Sequence, residues 1–138
     1  TAVKQLDDIL SAPEAKFLDE ITIGCSDLSG SLKKPTMESS VLNRVARVVK
    51  KIQSKKIKVS VGGGIQPSSI DDFLKKIHPN KFNTRVVTFD VVPGQKYNQA
   101  VVEALRFEIL MLEHDARQSF ITRDEEKFRI KELKKRLN

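Results

Sequence analysis

Three short runs rich in β-branched residues constrain this chain most: ITIG at 21–24, IKVSV at 57–61 and RVVTFDV at 85–91. Each lies between segments whose apolar residues repeat at helical spacing. Residues 2–10 carry Val3, Leu6, Ile9 and Leu10 on one face. Residues 38–51 set Val41, Leu42, Val45, Val48 and Val49 against Arg44, Arg47 and Lys51. Residues 69–77 offer Ile70, Phe73, Leu74 and Ile77, and Ser68 with Asp71 has the form of a capping box. A longer helix over 98–115 repeats Val101, Val102, Leu105, Ile109 and Leu112, and Thr122 with Glu125 caps a last helix over 123–137. Residues 26–37 read as a polar loop. The order α-β-α-β-α-β-α-α, without hairpin signals, predicts an α/β fold with a parallel sheet. Three strands leave open edges and faces to cover, so residues 1–138 read as one partial domain. The expected whole is a (β/α)8 TIM barrel of about 250 residues, of which this is the C-terminal portion.

Composition narrows the function classes. The chain has 138 residues, 39 % hydrophobic and 31 % charged, with a net charge of +7. That is the composition of a water-soluble fold, and no apolar run could span a membrane. The basic clusters Lys50-Lys51, Lys55-Lys56, Lys75-Lys76 and Lys134-Lys135-Arg136 fall late in helices or just beyond them. Cations suit that position, so solvated helix ends explain the charge better than a nucleic-acid surface. Cys25 is the only cysteine, which excludes an internal disulfide and fits a reducing, cytoplasmic setting. The start Thr1-Ala2-Val3-Lys4 has no signal-peptide character, and without Met it reads as a cut or processed end.

Ligands of such folds bind beyond the C-terminal ends of the strands. The expected ends are Gly24-Cys25-Ser26-Asp27, Gly62-Gly63-Gly64 and the stretch from Asp90 to Gly94, side by side at one rim. Asp27 is either a cap on the turn or a ligand for a hard divalent cation. The glycines 62–64 are either a tight turn or a phosphate cradle ahead of a helix. Cys25, with neither His78 nor His114 near it, reads as a structural thiol. The two histidines lack metal-ligand spacing, and Arg85 reads as an ion-pair partner at the start of a strand. The helix from Asn98 reads as barrel packing or a homo-oligomer contact.

ITIGCSDLSGSL at 21–32 resembles the sixth-strand segment of the metal-dependent 2-oxo-acid aldolase and citrate lyase β-subunit superfamily. KVSVGGGIQPSSIDDFLKKI, KFNTRVVTFDV and EALRFEILMLEHDARQ are similar to a less-characterised branch of it. The resemblance implies a barrel holding Mg²⁺ or Mn²⁺ that cleaves or forms C–C bonds of a 2-oxo acid or CoA thioester through a metal-bound enolate. It implies Asp27 as one metal ligand, and the backbone amides of Gly24, Cys25 and Ser26 as the seat of the substrate carboxylate. A ligand Glu would stand just before Thr1, and the N-terminal half of the barrel would be a partner, so the fragment alone is expected to be inactive. Cys25-Ser26 and Lys33-Lys34-Pro35 depart from the usual pattern, which bears on the substrate. The alternative is a sugar-phosphate isomerase-like half barrel using VGGGI for phosphate.

Overall fold

The computed structural model describes residues 2–36 and 38–137. Thr1, Met37 (the end of the expected loop) and Asn138 lie outside the described residues. The chain is α/β, and the described residues form a four-stranded, mostly parallel sheet and six α-helices.

After a 3-10 turn at Ala2–Gln5 come α1 (Leu6–Ser11) and a second 3-10 turn at Pro13–Phe17. The expected first helix is therefore shorter than its apolar pattern, with Leu10 as its buried anchor. β1 (Glu20–Gly24) leads directly into α2 (Cys25–Leu32). This corrects the expected polar loop. Leu28 and Ser29 are buried along the turn, and Ser29 and Ser31 donate to carbonyls three residues back, both at 2.8 Å. Small hydroxyl residues thus satisfy their own polarity on a helix whose apolar contacts decide the conformation. Lys33 in the left-handed region ends it.

α3 (Ser39–Gln53), β2 (Lys58–Gly62) and α4 (Ile70–Ile77) follow where the periodicity predicts them. Ser69 precedes α4 without a side-chain cap, and the Asp71 carboxylate instead accepts the Tyr97 N–H at 2.9 Å. The expected third strand is corrected most. It divides into β3 (Lys81–Asn83) and β4 (Thr88–Asp90), an antiparallel pair. The Thr84–Val87 turn is held by hydrogen bonds in both directions between Thr84 and Val87. α5 (Asn98–Arg117) and α6 (Arg123–Leu137) close the chain, and Thr122 Oγ1 accepts the Glu125 N–H at 3.1 Å as the capping signature requires.

Strand order is β1-β2-β3-β4, with the first three parallel. The register lines up Ile21 with Val59, Ile23 with Val61 and Phe82, and Phe82 with Phe89. Side chains alternate across a strand, so these share one face. That face joins α3, α4, α5 and α6 in one hydrophobic cluster, and Phe82 stacks on Phe89 with ring centroids 4.8 Å apart. The opposite face is polar. Thr22, Ser60 and Lys81 form one row, and Gly24, Gly62 and Asn83 form the next. Glu20 and Lys81 pair across it at 2.8 Å, which raises the Lys81 pKa. No described helix is long and apolar enough to cross a membrane.

Candidate functional site

β1 and β2 both stop on glycine, and those two glycines are partners in the ladder. A Cβ on either would displace a neighbouring side chain. A Cβ on Gly24 would lie 2.7 Å from Asp27 Oδ2, so the carboxylate folds back over the strand end. A Cβ on Gly62 would collide with Asn83 Oδ1. A Cβ on Gly63 would lie 2.7 Å from Ser26 Oγ and 2.8 Å from Ser26 N. Glycine therefore brings Asp27, Ser26 and Asn83 close to the backbone at the ends of three adjacent parallel strands.

Asp27 lies in the first turn of α2 and is exposed. Its charge faces the positive helix end, and the N–H groups of Cys25, Ser26 and Asp27 have no intrahelical acceptor at that end. Gly24 is both the last residue of β1 and the residue that precedes α2. Cys25 turns its side chain inward. The thiol is fully buried, and burial pushes its pKa up to about 11 against a lowering hydrogen bond from Gly62. A protonated, enclosed thiol is no nucleophile, so Cys25 can offer only its backbone N–H.

The glycine loop meets α2 rather than standing alone. Gly63 (φ 89°) packs on Ser26, and Gly64 (φ 71°) faces Thr36. Both need the left-handed region that glycine adopts freely. Arg136 of α6 donates twice to the Ile65 carbonyl, at 3.1 and 2.7 Å, and its burial lowers the guanidinium's pKa. The last helix thereby pins the loop.

Two expected members are elsewhere. β4 runs antiparallel, so Asp90 pairs with Lys81 at the other end of the sheet, and the stretch from Asp90 to Gly94 does not join the rim. Arg85 is exposed in the β3–β4 turn, at the rim end rather than at the start of a strand. It pairs with no acid among the described residues. His78 ends α4 in the left-handed region, and His114 is exposed late on α5.

Asn83 and Ser60 were not legible as rim residues. Asn83 Nδ2 donates to Ser60 Oγ at 2.9 Å, and Ser60 is 1 % exposed. The one available signal was the alternation K-V-S-V-G at 58–62, which sets Ser60 and Gly62 opposite the valines.

No protein-family model, curated protein or solved structure matches this chain. The side chains gathered at the strand ends are Asp27, Ser26 and Asn83. Their donors are all oxygen, the choice of a hard cation such as Mg²⁺ or Mn²⁺ over zinc. Among the described residues no three His, Cys, Asp or Glu side chains gather. A cation at this rim would take Asp27 as its single carboxylate here, with neutral oxygens and water. One or two carboxylates with several waters is a normal Mg²⁺ shell, so the donor set fits.

Proposed function

We propose that this chain is the C-terminal portion of a (β/α)8 barrel that serves a metal-dependent carbon–carbon lyase or aldolase. Its substrate class is a 2-oxo acid or an acyl thioester. The sequential strand order and the apolar face turned to the connecting helices support the barrel. The antiparallel β4 departs from an all-parallel barrel sheet. The observation that carries the reading is the Asp27 carboxylate folded over Gly24, beside the N–H groups that open α2.

When bound, Mg²⁺ or Mn²⁺ polarises the substrate carbonyl and offsets the negative charge that develops on its oxygen as the C–C bond breaks or forms. Asp27 would hold that cation. The Cys25 and Ser26 N–H groups would orient the substrate carboxylate, a task for fixed backbone donors. Gly24 and Gly63 keep the rim free of side chains that would fill it. This chain contributes one carboxylate and no proton-transfer base to the scheme, so turnover by this polypeptide alone is expected to be absent.

The phosphate reading of VGGGI is weaker. The first turn of α4 already carries Asp71 and Asp72, whose charges oppose an anion at that helix end.

Calorimetry with Mn²⁺ and then oxalate, a planar dicarboxylate that mimics the enolate of a 2-oxo acid, tests the proposal. Oxalate is expected to bind only after Mn²⁺, and Asp27→Asn is expected to abolish both steps. Phosphate binding that Asp27→Asn leaves intact and Gly63→Val removes would replace this reading with the phosphate one. Robust retro-aldol turnover with Mg²⁺ or Mn²⁺ would contradict the expected inactivity of this polypeptide alone.

A further inference from the structure

Two side-chain oxygens occupy the space that the Gly24–Gly62 rung leaves empty. Gly24 and Gly62 are paired residues of neighbouring parallel strands, and the missing Cβ atoms of both point to the polar face. Asp27 Oδ2 lies 2.7 Å from the first position, and Asn83 Oδ1 crowds the second. Parallel neighbours lie about 4.8 Å apart, so the two oxygens flank a single rung of the ladder on one face. Two oxygens that share a hard cation at about 2.0–2.2 Å each lie about 3–4 Å apart, the separation that binding would have to set between Asp27 and Asn83.

Asn83 is also held for the task. Its Nδ2 donates to Ser60 Oγ at 2.9 Å, which fixes the amide plane, and its Oδ1 lies over Gly62 at the end of β2. The Ser60 hydroxyl lies beneath it, 1 % exposed. β3 is only three residues long, and Asn83 is its last. A neutral amide oxygen beside a carboxylate is a common oxygen-donor combination for Mg²⁺, Mn²⁺ and Ca²⁺.

We infer that Asn83, positioned by Ser60, is a second oxygen ligand of the rim cation and faces Asp27 across the Gly24–Gly62 rung. The inference rests on the cation reading of Asp27 and adds a donor to it from this chain. Gly62 is then glycine for a functional reason, since a side chain there would displace the ligand.

The test is Mn²⁺ affinity, from the electron paramagnetic resonance signal of free Mn²⁺, for the whole chain and four variants whose folding is checked by circular dichroism. Asp27→Asn is expected to lose binding. Asn83→Ala is expected to weaken it about tenfold, the scale at which loss of a supporting metal-site partner is felt. Asn83→Asp, which keeps the shape and adds charge, is expected to tighten it. Gly62→Ala removes no donor and is expected to weaken binding by pushing Asn83 aside. If Asn83→Ala and Asn83→Asp both bind like the parent while Asp27→Asn does not bind, the Asn83 inference is overturned and the Asp27 reading stands. If the parent itself binds no Mn²⁺, or Asp27→Asn binds as the parent does, both fall. Should Asn83→Ala fail to fold, the near-isosteric Asn83→Asp still decides the matter by the direction of its change.

Discussion

On one face of the sheet Ile21, Ile23, Val59, Val61 and Phe82 join the helices in the core. On the other, one residue along each strand, stand Thr22, Ser60, Lys81, Gly24, Gly62 and Asn83. The same strands build both, so backbone geometry cannot account for the difference. The first face is chosen by volume and apolarity. The second is chosen by what each polar group touches: Glu20 with Lys81, Asn83 with Ser60, Asp27 over Gly24. A parallel sheet sealed by apolar packing on both faces would read as continuous Val, Ile and Leu. Alternation in a parallel sheet marks a second face that meets polar groups or water. In a barrel that face is the interior, where its upper rim is the usual site of chemistry.

The contrast can be broken first by stability. Phe82→Ala should cost about 3–5 kcal/mol, because its fully buried ring leaves a cavity among Phe89 and Tyr97. Thr22→Ala, on the exposed part of the polar face, should change stability by less than about 0.5 kcal/mol. Urea unfolding of both variants checks this, and equal losses would mean that the faces do not differ as described.

The next effect is one of pH. The native state keeps the Cys25 proton to about pH 11, against 9.0 for the ordinary thiol. Protons are then bound more tightly when folded, so the thiol's contribution is complete below pH 9.0 and is lost as pH rises towards about 11. Two pKa units correspond to roughly 2–3 kcal/mol, and the Cys25→Ala variant should lack this component of the alkaline decline. Denaturation midpoints across that range in the two proteins measure it.

Smaller again is Gly62→Ala. Overpacking against Asn83 should cost about 1–3 kcal/mol, and much of that should vanish in the Asn83→Ala background. A thermodynamic cycle over the four proteins gives the coupling directly, and additive losses would argue against the close approach. Smallest is Asp27→Asn, which removes a favourable charge from the first turn of α2 and should cost only about 0.3–1 kcal/mol in thermal unfolding.

Much of the fold was legible in periodicity. α3, α4 and α5 each carry enough apolar residues to mark a face, and β1 and β2 end at glycines the sequence displays. β3 was not legible, because Lys81-Phe82-Asn83 holds a single apolar residue. Its place is set by distant partners, with Asn80 N–H donating to Val59 O at 2.9 Å and Val59 N–H to Asn80 Oδ1 at 2.8 Å. The run of β propensity at 85–91 then drew the strand past a turn. α2 was hidden for the opposite reason, since Cys-Ser-Asp-Leu-Ser-Gly-Ser has weak helix propensity and forms where Leu28 and Ser29 pack. Asp27 stood out as a carboxylate following a strand stop. Asn83 and Ser60 did not, because their meeting depends on which strand is neighbour to which.

The proposal places a cation site at the end of the polar face. Addition of substoichiometric Mn²⁺ to the ¹⁵N-labelled chain, read by paramagnetic broadening of amide signals, tests it most directly. Gly24 to Asp27, Gly62, Gly63 and Asn83 are expected to broaden first, and Asp27→Asn is expected to remove the effect. Broadening centred on Asp7, Asp72 or Glu132, or none at the strand ends, would contradict it.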